Sequence, residues 1–303
     1  MAPRLTPCPP PSPASPQARS CLALLPPQDQ LSVTRKYHVA DARMALASAL
    51  LKRLFVHTAL GLAWRDIAFE RRRDAVHGKP SAVLPSGEPA PVEFNLSHQA
   101  GLVALVGCTT ADGDPEVEVA LGVDVVCVNE RGGDMPSIRR QGFPAWLDTY
   151  ADVFGAQELS DMALPGGDAL LPAQLRRFYA YWAYKEAFVK LDGDALLATW
   201  LRRLEFRNVR APDPGPAPGV WGERVCDAEV WFSGAQGDAA GPRGVQVGEG
   251  ERRRLEDTRV QIVGFEDRFM IAVAARGLGG EQALTEFRVL DFEREVWGVV
   301  KAA

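Results

Sequence analysis

One segment constrains the fold of this chain more than any other: "FYAYWAYKEAFVKLDG", residues 178 to 193. Apolar and aromatic side chains recur at helical spacing around most of its circumference, which predicts a largely buried helix. The same segment carries Lys185, Glu186 and Lys190. Because a buried carboxylate is costly unless it is paired or bound to a metal, two interpretations stay open. Glu186 and Lys190 form an ordinary surface pair, or the helix lines a site for a metal and anionic phosphates.

Composition and charge narrow the class of protein. With 303 residues, 47% of them apolar, the chain can form one large domain or two small ones with a sizeable core. A net charge of -5 argues against a general nucleic-acid binder. Five widely spaced cysteines without a C-x-x-C pair indicate free thiols in a reducing compartment. No apolar run is long enough to cross a membrane, so we expect a cytoplasmic protein without a membrane partner.

Local patterns divide the chain into three parts. Residues 1–30 are rich in proline, serine and alanine, which predicts a disordered tail. We expect an N-terminal subdomain over 31–129 and a C-terminal subdomain over 130–303. Helix patterns are followed by strand patterns in both, which predicts the α+β class (α/β by looser naming).

Individual elements can be placed within these parts. "DARMALASALLKRLFVHTAL" predicts an amphipathic helix that Asp41 caps. "VEFNLSH", "GLVALVG" and "VEVALGVDVVCV" predict strands, and "TRVQIVGFEDRFMIAVAA" predicts a β-hairpin with "EDR" at its tip. The glycine-rich stretch 233–250 is typical of a flexible surface insertion.

A second unusual charge lies in the strand pattern "LGVDVVCVNE". Asp124 either caps the following turn or binds a hard cation. Two carboxylates from separate elements, Asp124 and Glu186, with phosphate oxygens and waters, match the way proteins usually hold Mg²⁺.

Two further motifs are weak when taken alone. In "FNLSHQAG", we expect Asn95, Ser97 and His98 where a strand gives way to a turn, with local turn hydrogen bonds as the alternative role. In "HGKP", Lys79 fits a phosphate contact as well as an ordinary loop. The chain has no G-x-S-x-G elbow, Walker loop or G-x-G-x-x-G motif.

The order of these motifs is more specific than any one of them. "GKP" (78–80), "FNLSHQ" (94–99), "GVDVV" (122–126) and "WAYKEAFVK" (182–190) resemble the 4′-phosphopantetheinyl transferases of the two-subdomain, surfactin-synthetase-activating type, and the fungal members most. The resemblance covers residues 31 to 190 well and the C-terminal strands in outline, and the first 30 residues have no counterpart in it. It implies two pseudo-symmetric subdomains, each with helices packed on a small antiparallel sheet, and an active site at their interface. The implied reaction is the Mg²⁺-dependent transfer of 4′-phosphopantetheine from coenzyme A to a serine of an apo carrier protein, which releases 3′,5′-ADP.

The resemblance also implies roles for particular residues. The catalytic residues would be Asp124, Glu186 and Lys190, with Asp124 and Glu186 as the metal ligands. Coenzyme A would contact the following residues: Arg43, Lys79, Pro80, Ser97, His98, Lys185 and Lys190. Many bacterial relatives carry a second acid where this chain has Val126, so we expect a water in place of that ligand.

The implied partners are carrier proteins or domains of fatty acid, polyketide, nonribosomal peptide or aminoadipate systems, served by a monomer. A non-catalytic module that binds coenzyme A or a carrier protein is an alternative, which Val126 keeps open. Retention of Asp124, Glu186 and Lys190 together argues against it. A third possibility is a phosphohydrolase, which would need a positioned water as nucleophile.

Overall fold

The structure, a computed structural model, describes residues 2–5 (backbone only), 16–72, 78–110, 117–130, 132–163, 170–193, 198–234, 241–279 and 284–299. The helices of these ranges are α1 (Pro16–Ala23), α2 (Pro27–Thr34), α3 (Val39–Leu60), α4 (Asp134–Gln141), α5 (Phe143–Asp148), α6 (Ala156–Met162) and α7 (Leu171–Asp192), with a π-helical turn at Phe292–Trp297. The strands are β1 (Ala2–Leu5), β2 (Ala68–Arg71), β3 (Pro80–Val83), β4 (Val92–Gln99), β5 (Leu102–Thr109), β6 (Ala120–Cys127), β7 (Leu204–Arg207), β8 (Trp221–Val225), β9 (Glu229–Ser233), β10 (Arg252–Arg254), β11 (Thr258–Phe265), β12 (Phe269–Arg276) and β13 (Phe287–Leu290).

The first half of the molecule is built from α3 and the β4–β5 hairpin. Helix α3 ends at Gly61, whose φ of 67° is a left-handed conformation that glycine adopts without strain. The helix begins one turn earlier than the pattern predicted, because His38 and not Asp41 is its N-cap residue. Its apolar face packs on β4 and β5, and a four-stranded sheet has the order β13-β1-β5-β4. The β1–β13 pair is parallel and the other pairs are antiparallel.

The second half repeats this plan with α7 and the β11–β12 hairpin. Helix α7 has 22 residues, as α3 has, and it ends at Gly193 with a φ of 82°. It packs on a four-stranded antiparallel sheet of order β6-β12-β11-β8. The predicted hairpin with residues 266–268 at its tip is therefore confirmed. The two halves form an α+β fold, as predicted.

The two four-stranded sheets pack against each other through an apolar layer. Val123, Val125, Ile271 and Val273 lie in this layer with Ala104 from the first sheet. On the opposite face of the second sheet, Val126 and Ala272 pack with α7. The alternation places Gly122, Asp124 and Val126 on the α7 side of β6.

The chain crosses between the halves twice. Strand β6 precedes the boundary predicted at residue 129, yet it hydrogen bonds with β12 of the second half. Strand β13 and the π-helical turn follow that boundary, yet Leu290 and Val296 belong to the hydrophobic core under α3.

The predicted disordered tail needs a correction at residues 16–30. These residues form α1 and the start of α2, because Cys21 and Leu25 supply apolar contacts to the core of the first half. Proline composition dominated the prediction, but proline is tolerated in the first turn of a helix, where Pro27 lies. Residues 6–15 lie outside the described ranges, as do 235–240 of the predicted insertion. None of the described helices combines the length and apolar composition needed to cross a bilayer.

Candidate active site

A close approach between β6 and α7 creates the site. A Cβ atom on Gly122 would lie 1.9 Å from the carbonyl oxygen of Ala187 and 2.5 Å from the backbone nitrogen of Leu191. Only glycine therefore allows the strand to lie this close to the helix. Two residues further along the same face, Asp124 meets the polar side of α7.

Asp124, Ser97 and Lys190 form one hydrogen-bonded cluster. The ammonium of Lys190 lies 2.6 Å from Oδ1 of Asp124 and 2.9 Å from Oγ of Ser97. The Ser97 hydroxyl donates to the same Asp124 oxygen at 3.0 Å and accepts from the backbone nitrogen of Val125 at 3.1 Å. Asp124 is buried, and burial raises the pKa of its carboxyl, whereas Lys190 and Ser97 lower it. The cluster joins β4 of one half to β6 and α7 of the other.

Glu186 lies one helical turn before Lys190 and is half-buried. Burial, followed by the negative charge of Asp124, raises the pKa of Glu186 to about 7, and Lys190 acts in the opposite direction. Asp124 and Glu186 are thus close enough to repel each other. In the described part of the chain, no group of three or more acidic, histidine or cysteine side chains could hold a metal. Val126 is 2% exposed in the core under α7 and offers no third ligand.

Positive charge gathers where β4 ends. His98 is exposed beside Ser97, and its pKa is lowered by partial loss of hydration and then by the positive charges of Lys190 and Lys36. Helix α3 reaches the same place, since the sulfur of Met44 accepts from the backbone nitrogen of Gly101, just after β4. The neighbouring Arg43 has a buried Nε atom without a hydrogen-bond partner among the described residues. These groups can attract a phosphate.

Lys79 and Pro80 lie near the start of β4 and not near its end. Pro80 opens β3, and the ammonium of Lys79 contacts the carboxylate of Glu93 and the carbonyl oxygen of Leu121, the latter at 2.6 Å. Glu93 precedes Ser97 by four residues, which is about 13 Å along a strand. The structure therefore does not bring the Lys79 ammonium to the cluster of Asp124, Ser97 and Lys190.

Lys185 points away from the cleft, in contrast to the role that the resemblance implied. Its side chain is fully buried, and its ammonium lies 2.8 Å from the carboxylate of Glu158 and 2.9 Å from the carbonyl of Leu201. Glu158 also accepts from the backbone nitrogens of Phe206 and Gly155. Each charge thus has several partners, and the pair fixes α7 to the second half from the side opposite the cluster.

Sequence reasoning missed two parts of this region. Asn95 and Ser97 lie inside β4 and not in a turn, because the strand continues to Gln99 and turns at Ala100 and Gly101. Lys36, whose charge acts on His98, is not among the residues that the sequence motifs singled out. Its position next to a predicted helix start was the available signal, but its approach to His98 depends on tertiary packing.

Comparison with known proteins finds similar chains. Residues 11–110 match the family model described as the N-terminal part of 4′-phosphopantetheinyl transferase. A 4′-phosphopantetheinyl transferase of Aureobasidium melanogenum is 40% identical over 92% of this chain and 90% of its own length. The 4′-phosphopantetheinyl transferase A of Aspergillus fumigatus is 38% identical over 85% of this chain and 78% of its own length.

A more distant relative extends the comparison beyond fungi. The human L-aminoadipate-semialdehyde dehydrogenase-phosphopantetheinyl transferase is 28% identical over 59% of this chain and 52% of its own length. The family match begins at residue 11, inside the segment for which the motifs gave no counterpart. From the fungal identities over most of both chains, this chain belongs to the 4′-phosphopantetheinyl transferase family.

Proposed function

We propose that this chain transfers 4′-phosphopantetheine from coenzyme A to a serine hydroxyl of an apo carrier protein, with Mg²⁺ as cofactor. The observation that carries the proposal is the cluster of Asp124, Ser97 and Lys190, with Glu186 beside it at the junction of the two halves. A phosphoryl transfer requires charge neutralisation and positioning more than covalent chemistry by the protein. The cluster supplies groups of both kinds.

Asp124 and Glu186 are the residues that would hold Mg²⁺. Burial, followed by the negative charge of Asp124, raises the pKa of Glu186 to about 7, and a divalent cation between the two carboxylates would remove their repulsion. Two carboxylates with water and phosphate oxygens are a donor set that Mg²⁺ accepts. When bound, the metal would neutralise charge on the pyrophosphate of coenzyme A.

The remaining residues bind and orient the phosphates. We assign the pyrophosphate to Lys190, which Ser97 orients, and the other phosphate of the nucleotide to His98 and Arg43. The buried, unpartnered Nε of Arg43 supports this assignment, since a ligand oxygen would satisfy it. Lys190 would counter the negative charge that develops on the leaving group.

The bond changes need no nucleophile from this chain. The serine oxygen of the carrier attacks the phosphorus that bears the pantetheine arm, and the P–O bond to the other phosphate breaks. The products are the phosphopantetheinyl serine and 3′,5′-ADP. The serine proton must go to a base, and we assign that role to Glu186, because it is the carboxylate beside the cluster of Asp124, Ser97 and Lys190.

We further propose a monomeric, cytoplasmic enzyme that serves carrier proteins of fatty acid, polyketide, nonribosomal peptide or aminoadipate systems. One chain contributes both halves of the site, which supports a monomer. The cysteines described by the structure are free, as is usual in a reducing compartment. The name of the human relative, an L-aminoadipate-semialdehyde dehydrogenase-phosphopantetheinyl transferase, supports an aminoadipate system among the candidates.

Intact mass spectrometry tests the proposal. An apo carrier protein incubated with this chain, coenzyme A and Mg²⁺ should gain one phosphopantetheine group, and Asp124→Ala and Glu186→Gln should abolish or strongly reduce the gain. Binding of coenzyme A without any gain on several unrelated carriers would instead support a non-catalytic binding module. Release of 3′,5′-ADP in the absence of a carrier would support a hydrolase.

A further inference from the structure

Strands β4 and β6 lie side by side where the two halves meet, and each is an edge strand of its own sheet. The backbone ladder of β4 is formed with β5, and that of β6 with β12. Between the edge strands β4 and β6, side chains of β4 take the place that backbone acceptors have in a β-ladder. Backbone nitrogens of β6 donate to side-chain oxygens of β4 in three pairs: Val123 to Asn95 at 3.0 Å, Val125 to Ser97 at 3.1 Å, and Cys127 to Gln99 at 3.2 Å.

Lys79 continues this two-residue repeat. Glu93 lies two residues before Asn95 on the same face of β4, and Leu121 lies two residues before Val123 on β6. The Lys79 ammonium bridges the Glu93 carboxylate to the Leu121 carbonyl oxygen. The Lys79 side chain is 10% exposed and that of Glu93 is 5% exposed, and Arg72 binds the second Glu93 oxygen at 3.0 Å. The ammonium is therefore engaged on both sides of the junction.

We propose that these contacts form a seam, defined as Lys79, Glu93, Asn95, Ser97 and Gln99, and that Lys79 and Asn95 are positioning residues of the transferase and not ligands of coenzyme A. The proposal rests on the proposed function for its kinetic consequences, but not for the seam itself. It gives Lys79 a role different from the phosphate contact that the family resemblance implied.

Ser97 connects the seam to the chemistry. Its hydroxyl has one proton and two lone pairs, and the structure uses all three, on Asp124, Val125 and Lys190. A slip of β4 by one residue would put His98 or Leu96 opposite Asp124, because adjacent strand residues face opposite sides. The neighbouring seam contacts, Asn95 with Val123 and Lys79 with Leu121, hold β4 in the register that keeps Ser97 opposite Asp124.

The seam also provides hydrogen-bond acceptors for buried backbone nitrogens of β6. The nitrogens of Val123 and Val125 point away from β12 and towards β4, and both residues are buried. A buried N–H that loses its acceptor is destabilised and exchanges its proton more readily. Removal of a single acceptor should therefore loosen β6 locally while its ladder with β12 remains.

The test uses Asn95→Leu, which removes the acceptor at similar size, and Asn95→Asp, which keeps an acceptor oxygen. Lys52→Met is the control, because the ion pair of this half-buried lysine is with Asp29, 3.7 Å away, and not with a residue of the seam. Hydrogen exchange of the peptide spanning 120–127 should accelerate in Asn95→Leu, recover in Asn95→Asp and stay unchanged in Lys52→Met. If hydrogen exchange of the peptide 120–127 is unchanged in Asn95→Leu, the proposed role of the seam is refuted. This conclusion does not depend on whether the wild type transfers phosphopantetheine.

Glu93→Gln distinguishes the two possible roles of Lys79, because the two roles predict different changes in kcat and in the Kd for coenzyme A. If Lys79 positions β6, loss of its partner lowers kcat at least about tenfold and leaves the Kd for coenzyme A within about threefold. If Lys79 binds phosphate, release from Glu93 tightens coenzyme A binding and leaves kcat intact, which would overturn the proposal. Lys79→Met should match Glu93→Gln in kcat; a rise in Kd of about tenfold or more at unchanged kcat would likewise contradict it. If the wild type modifies no carrier protein, the proposed function is refuted. The hydrogen-exchange result then still tests whether the seam holds β6.

Discussion

Replacement of Gly122 with alanine should damage both the stability and the activity of this transferase. The added Cβ would lie 1.9 Å from the carbonyl oxygen of Ala187, whereas real Cβ atoms essentially never come within 3.0 Å of a neighbour. Strand β6 and helix α7 must therefore separate by about 1.1 Å at this point. The obstructing atoms belong to the backbone of α7, so no side-chain rotation can relieve the contact.

The size of the effect follows from that displacement. Overpacking a core costs about 1–3 kcal/mol, and we expect the upper end because a whole helix must move. For a chain of 303 residues, with an unfolding entropy of about 2.1 cal/mol/K per residue, about 3 kcal/mol corresponds to a decrease in Tm of roughly 5 °C. The same shift takes Lys190 from 2.6 Å to beyond hydrogen-bonding distance of Asp124. A misplacement of about 1 Å in a catalytic site can cost about 100-fold in rate.

Thermal denaturation by circular dichroism and carrier modification by intact mass, measured below the Tm of both proteins, provide the assay. Gly279→Ala is the matched control, because a Cβ there meets nothing within 4 Å and the backbone φ is not left-handed. We expect the control to keep its Tm and activity. If Gly122→Ala melts within about 1 °C of the wild type and retains full kcat, the close approach of β6 to α7 does not position the site.

Three further predictions concern other buried groups. Lys185→Met should destabilise the protein by about 3–5 kcal/mol in urea unfolding, because it leaves the Glu158 carboxylate buried without its counter-ion, and a loss below about 1 kcal/mol would contradict this. The folded-state pKa of Glu186, about 7, exceeds its ordinary value of 4.5, so the folded state keeps a proton that the unfolded state loses between these values. The stability of the wild type should thus fall as pH rises through this interval. Without metal, the Tm of Glu186→Gln minus the Tm of the wild type should therefore be larger at pH 8 than at pH 5. If this Tm difference is the same at both pH values, the pKa of Glu186 is not raised. A thiol reagent at pH 8 should label exposed Cys226 quickly, while Cys21, 1% exposed and with its pKa raised to about 11, should react only on unfolding; rapid labelling of Cys21 would show that α1 is not packed.

Local periodicity predicted the elements that bear most of the site. Helix α7 follows from the aromatic spacing between 178 and 193, and the β11–β12 hairpin follows from two apolar runs around a polar tip. Asp124 and Glu186 stood out because carboxylates in apolar patterns need a partner. The helix and hairpin predictions succeed because each depends on residues that are near one another in the sequence, whereas the metal-binding role of Asp124 and Glu186 stays a prediction.

The directions of the lysine side chains could not be predicted in this way. Lys185 adjoins Glu186 in the sequence, but its partner Glu158 lies 27 residues earlier, and only the docking of α6 beside α7 brings them together. Lys79 reaches Leu121 across 42 residues because β4 and β6 meet at their edges. A strand pattern shows which residues share a face, but not which strand from the other half will lie against it.

The return of the C-terminal segment to the first half has a consequence for synthesis on the ribosome. Leu290 and Val296 complete the core under α3, about 180 residues after β5 ends. At a translation rate of about 5–20 residues per second, that core remains open for roughly 10–35 s after its helix and hairpin have emerged. An exposed apolar face of this kind is a substrate for chaperones during elongation. The N-terminal half therefore completes its core only after Val296 has been synthesised, and the catalytic cleft, which needs both halves, forms no earlier.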